Sequence, residues 1–98
     1  MIHLGVLQFT LEIPYAGSLK DKRRVVKSLK ERLRRTFNIS IAEIDDLDEW
    51  TVATLGAVMV GNDVSYINSK LDKLLNVLHD DREAVLADHQ LEIVNPTS

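Results

Sequence analysis

Ninety-eight residues are enough for one hydrophobic core and too few for two, so a single domain is expected over residues 1–98. The composition, 45% hydrophobic and 28% charged, is that of a globular chain rather than a disordered one. A net charge of −3, with 12 basic and 15 acidic residues, argues against indiscriminate coating of nucleic acid. The absence of cysteine excludes disulfides, thiolate zinc sites and a cysteine nucleophile, and fits a reducing cytoplasm.

The opening MIHLGVLQF lacks the basic region and cleavage site of a secretory signal. No apolar run approaches the roughly 18 residues of a membrane span. A soluble, cytoplasmic chain with no membrane partner is therefore expected. Ile2 to Ile13 reads as the first strand. Its apolar positions change parity, from Ile2, Leu4 and Val6 to Leu7, Phe9, Leu11 and Ile13. Either a bulge shifts the register or the strand is central and apolar on both faces. Pro14 cannot donate to a ladder and ends it, and Tyr15-Ala16-Gly17 turns the chain.

A long helix follows from Ser18 to Phe37, with Ser18 as cap and Asp21 in a capping-box position. It holds nine of the twelve basic residues against only Asp21 and Glu31, a local net of +7. The rest of the chain has three basic and thirteen acidic residues, a net of −10. Leu19, Val25, Val26, Leu29, Leu33 and Phe37 recur at helical spacing within an arc of about 120°. Lys20, Arg23, Arg24, Lys27, Lys30, Arg34 and Arg35 fill an opposite arc of about 140°. Lys22 projects into the apolar stripe and is expected to snorkel from its edge, while Arg32 lies between the two faces.

Ile39 to Ile44 reads as a second strand, and the acidic run Asp45-Asp46-Leu47-Asp48-Glu49 as a connection. The third strand, Trp50 to Val60, is apolar on both parities, the mark of a central strand covered on both sides. Gly61-Asn62-Asp63 makes a turn and caps a second helix, in which Val64, Ile67, Leu71, Leu74 and Leu78 keep a three-four spacing as far as His79. Asp80 to Glu83 connects it to a last strand, Val85 to Val94, and Asn95 to Ser98 forms a tail. The order β-α-β-β-α-β is the ferredoxin-like plan: an α+β fold with two helices on one face of a four-stranded antiparallel sheet and the first and third strands central. One sheet face is then left without helices although the third strand is apolar on both sides. A homo-oligomer joined through that free face is the simplest expectation.

The segment SLKDKRRVVKSLKERLRRTFNISIAEID, followed by Trp50, VATLGAVMV and the Asn62-Asp63 helix start, resembles the YlxP-like family, also designated DUF503, over nearly the whole chain. The resemblance implies a ferredoxin-like fold and a cytoplasmic setting. Genes of that family commonly lie among those for translation initiation and ribosome maturation, which implies an RNA- or ribosome-associated role, with ribosomal RNA or the ribosome as partner. The family carries no established activity and no agreed functional residues. The resemblance covers the basic motif at Ser18, Leu19, Lys20, Lys22, Arg23, Arg24, Lys27, Arg32, Arg34, Phe37 and Asn38.

The expected function is thus a non-enzymatic module whose helix face of Lys20, Arg23, Arg24, Lys27, Lys30, Arg34 and Arg35 follows a phosphate backbone. The alternative is a structural, homo-oligomeric module whose basic helix pairs with an acidic protein surface, its own or a neighbour's. Base-stacking aromatics of the ribonucleoprotein type are missing, and Phe9 and Trp50 read as core or interface. The acidic run 45–49 lacks EF-hand spacing and glycine, and reads as a solvated hairpin tip rather than a metal site. His3, His79 and His89 have no metal-ligand spacing. No nucleophile elbow surrounds any of the serines Ser18, Ser28, Ser40, Ser65 and Ser69, and Gly5, Gly17, Gly56 and Gly61 make no phosphate loop. Acylphosphatases share the fold plan, but PYAGSLKDKRR does not match their glycine-rich first loop. Neither catalysis nor a cofactor is expected.

Overall fold

The computed structural model describes residues 1–96; Thr97 and Ser98, the end of the expected tail, lie outside the described residues. The elements are β1 (His3–Glu12), α1 (Leu19–Thr36), β2 (Ser40–Asp45), β3 (Val52–Gly61), α2 (Val64–His79) and β4 (Val85–Val94). They form one antiparallel sheet in the order β2-β3-β1-β4, with both helices on one face, which is the ferredoxin-like α+β architecture. Crossovers of one hand place the helices together on that face.

The parity change of the first strand is resolved by its central position. β1 pairs with β3 in unbroken register from His3↔Gly61 to Glu12↔Val52. Against β4 the register shifts between Thr10 and Leu11. Leu7, Phe9 and Leu11 enter the core under the helices, as do Ala53, Leu55, Ala57 and Met59 of β3. Leu4 and Val6 point the other way and stay half-buried. Gly5 is where α2 crosses most closely. A Cβ there would lie 2.6 Å from Leu71 Cδ1 and closer still to Ile67, so only a residue without a side chain fits.

Helix ends follow their capping chemistry. Ser18 Oγ accepts from Asp21 N–H at 3.1 Å. The Asp21 carboxylate, shorter than the glutamate of a full capping box, reaches back one residue further and accepts from Gly17 N–H at 3.1 Å. Asp63 caps α2 by accepting from Ser65 N–H. The stripe Val25, Val26, Leu29 and Leu33 of α1 is buried against the sheet, as are Ile67, Leu71, Leu74, Leu75 and Leu78 of α2. Among the described residues no helix is long and apolar enough to cross a membrane.

Candidate nucleic-acid interface

Burial of one stripe of α1 turns its opposite side outward. Lys20, Arg23, Lys27 and Arg35 are exposed there, and no ion pair or hydrogen bond joins their side chains to other described residues. Lys30 lies beside the apolar edge and is half-buried. Two of the seven expected contacts have partners within the chain. Arg24 Nη2 meets Glu83 Oε2 at 3.0 Å, an exposed pair. Arg34 Nη2 donates to the backbone carbonyl of Ile41 at 3.0 Å, which ties the last turn of α1 to β2. The fold therefore keeps all seven on the helix and leaves four of them exposed and unpaired.

The acidic half of the chain reaches this face at one margin only. The connection between α2 and β4 runs alongside α1, where Asp81 Oδ2 accepts from Arg32 Nη2 at 2.9 Å and Glu83 takes Arg24. Asp81 also organises its own loop, its Oδ1 accepting from the N–H groups of Glu83 and Ala84, both at 2.9 Å. Burial of Asp81 pushes its carboxyl up. The hydrogen bond from Arg32, those from Ala84 and Glu83, and the Arg32 charge outweigh that and hold the carboxyl below its ordinary 3.8. Where this loop meets the start of α1, Ile13, Tyr15, Ala16, Val25 and Arg82 border a pocket of about 220 Å³. Arg24, Asp21 and Glu83 also line it, so its two carboxylates are balanced by the guanidinium groups of Arg24 and Arg82.

Lys22 corrects the sequence expectation. It does not snorkel from the edge of the stripe: its side chain is 1% exposed. By the helical count of 100° per residue it projects between Leu29 and Leu33, straight at the sheet. There Nζ lies 2.8 Å from Glu43 Oε2 and donates to the carbonyl of Asp46 at 2.5 Å. The contact with Glu43 has ion-pair distance without hydrogen-bond alignment, which leaves Oε2 held by charge alone. Asp46 is the one non-glycine residue with positive φ, 59°, among those described, a conformation that aspartate tolerates better than most residues. Its Oδ2 accepts from Thr54 Oγ1 at 2.7 Å, and Thr54 Oγ1 is 3.3 Å from Thr10 Oγ1. A polar chain thus crosses the β2 side of the sheet from the helix layer to the opposite face, and the expected hairpin tip is part of it.

The remaining candidates fall as follows. Phe9 is core at 1% exposure, whereas Trp50 is 53% exposed and precedes β3. His79 and His89 are exposed and His3 is half-buried. Among the described residues no group of three or more histidine, aspartate or glutamate side chains is arranged to hold a metal ion. Sequence reasoning missed the roles of Lys22, Asp81 and Glu83. The acidic loop was visible as a charge run, but its seat beside α1 depends on the fold.

The family described as "Protein of unknown function (DUF503)" matches residues 4–91. The chain belongs to the DUF503 family. It is also similar to the "Uncharacterized protein YlxP" of Bacillus subtilis (strain 168), 37% identical over 60 residues. That alignment covers 61% of this DUF503 chain and 65% of the relative, just under two thirds of the relative's length.

Proposed function

We propose that this DUF503 protein is a non-enzymatic, cytoplasmic module that docks on structured RNA, ribosomal RNA foremost, through the outer face of α1. The observation that carries the reading is the unpaired state of Lys20, Arg23, Lys27 and Arg35 on one exposed helical surface. A chain with a net charge of −3 gains nothing for its own stability by concentrating like charges there. Four free cations with Arg24 and Arg34 beside them extend along α1 from Lys20 to Arg35, about 22 Å, enough to follow several phosphates of one groove. Arginine brings bidentate phosphate contacts and lysine point charges, and nothing on this face reads bases. Recognition therefore rests on the shape and charge of folded RNA rather than on sequence.

The test is co-sedimentation with purified ribosomes, together with titration of structured ribosomal RNA, across a salt series. Binding is expected to weaken with log salt by about 0.7–0.9 per phosphate neutralised. Reversal of Arg23, Arg24 and Lys27 to glutamate should lower that slope by about two, roughly one each for the unpaired Arg23 and Lys27, because Arg24 is held by Glu83. Absence of binding at low salt, or binding indifferent to the triple reversal, refutes the reading. Capture of an acidic protein by the same residues, with no RNA bound, would favour the protein-interaction alternative.

A further inference from the structure

We infer that two copies of this chain pack face to face through the sheet surface that carries no helices, with a two-fold axis parallel to the strands. The even-numbered positions of β1 and β3 build that surface, and its apolar part is continuous. Leu4 pairs with Val60 and Val6 with Val58 across the β1–β3 ladder. Val58 is 37% and Val60 50% exposed. Towards the middle of the sheet the side chain of Ile44, also 50% exposed, covers the place where Gly56 has none. Isolated exposed valines need no explanation, but a contiguous patch at the centre of a sheet does.

The occupant follows from charge, polarity and size. Neither lysine nor arginine occurs at any position of this face on the four strands, so a phosphate backbone has no partner there. Three of the polar groups on this face are already matched: Thr10 and Thr54 lie within hydrogen-bond distance of each other and Thr54 donates to Asp46, so these can be covered without losing their only partners. Four strands of up to ten residues give a projected footprint of the order of 500–600 Å². The accessible surface of a pleated sheet exceeds its projection, which brings each copy near the ~800 Å² of a standard interface.

The two possible in-plane axes are not equivalent. An axis parallel to the strands lays β1 of one copy over β3 of the other at the same height, so Leu4 and Val6 meet Val60 and Val58 of the second copy. It also lays Glu92 of β4 over the neutral Ser40 of β2 and Gln90 over Ala42, with Asp88 over Asp45 at the outer end of the strands, so the apolar match of β1 on β3 is what favours this axis. An axis across the strands would set the Leu4 end against the Glu12 end, and would face Asp88 with Glu92. A self-complementary face of this kind needs no partner but another copy of the same chain.

Sedimentation equilibrium of the full chain at tens of micromolar tests the inference. The expected mass is twice the 11.1 kDa of one chain. The double variant Val58→Asp/Val60→Asp should sediment as a folded monomer, with circular dichroism checking the fold. If aspartate prevents folding, Val58→Thr/Val60→Thr should still weaken dimerisation at least tenfold. The chain contains no cysteine, so Val6→Cys and Val58→Cys each introduce a unique thiol. A short bismaleimide should join an equimolar mixture of the two variants into a Val6–Val58 cross-linked pair more readily than either variant to itself. A monomeric wild type, a dimer that survives both double substitutions, or cross-linking of each single variant mainly to itself would overturn the inference.

Discussion

Lys22→Met is the most informative single change, because it removes a buried charge while keeping most of the side chain's volume. In the native chain Nζ is within 2.8 Å of Glu43 Oε2 and 2.5 Å of the Asp46 carbonyl, in a site where the lysine side chain is 1% and the glutamate 15% exposed. Methionine leaves the Glu43 carboxylate without its cation. Asp46 keeps one donor, the Glu49 N–H at 3.1 Å. Breaking one half of a buried pair costs about 3–5 kcal/mol. The residual exposure of Glu43 lets water reach it and puts the expected loss near the lower end, about 3 kcal/mol, out of the ~5–15 kcal/mol typical of a whole domain. For a domain of this size each kcal/mol is worth about 4–8 °C in Tm. The double variant Lys22→Met/Glu43→Leu removes both charges and should recover most or all of that loss. Urea unfolding followed by circular dichroism measures both, at one fixed protein concentration, because the proposed dimerisation would make apparent stability depend on it. A single variant that loses less than about 1 kcal/mol, or a double variant no more stable than the single, would refute the reasoning.

Asp81 sets an acid limit: its carboxyl is held below the ordinary value in the folded chain, so its contribution is present above the unfolded pKa, about 3.8, and disappears as pH falls through the lower folded value. Asp81→Asn should flatten the loss of urea stability between pH 5 and the folded pKa, and an unchanged acid limb would contradict the assignment. Gly5→Ala forces a methyl into Ile67 and Leu71 and should cost about 1–3 kcal/mol in urea unfolding; a neutral result would mean that α2 can withdraw from β1 without loss. Glu83→Gln releases Arg24 from its exposed partner, and should tighten RNA binding and steepen the salt slope of the ribosomal RNA titration by about one, with no change expected if Arg24 does not touch phosphate.

Element order, both caps and the bounds of α2 and β4 were legible in the sequence because each rests on local chemistry. Ser18 and Asp63 are N-cap residue types placed just ahead of runs at helical spacing, and both cap as expected. The parity change in β1 had two local explanations, and only the sheet order, a non-local fact, selects the central strand. The seven residues of the cationic face could be read from the helical count alone. Which of them stay free could not, because Arg24 finds a carboxylate 59 residues further along the chain and Arg34 finds a backbone carbonyl of β2. Lys22 is the instructive case. Its angle placed it in the middle of the apolar stripe, but burial required Glu43 on the neighbouring edge strand and an Asp46 carbonyl turned inward by a left-handed backbone, neither of which leaves a local signal.

The two surfaces proposed for partners lie on opposite layers of the fold, and this constrains how they work together. The cationic face belongs to the helix layer and the apolar face to the sheet layer, so a dimer joined through its sheets is stacked helix, sheet, sheet, helix. Packed sheets are about 10 Å apart and each helix layer adds about as much again. The two basic faces then look outward in opposite directions, of the order of 40 Å apart. A single RNA groove cannot engage both, so the proposed assembly would present two equivalent sites for separate RNA segments. Its avidity would be for folded RNA that returns past the protein, not for one long duplex. The acidic residues sit where such a design needs them. Asp81 and Glu83 bound one margin of each cationic face, and Asp88 and Glu92 would line the rim of the proposed sheet interface, where they would keep a phosphate backbone from competing with the second copy.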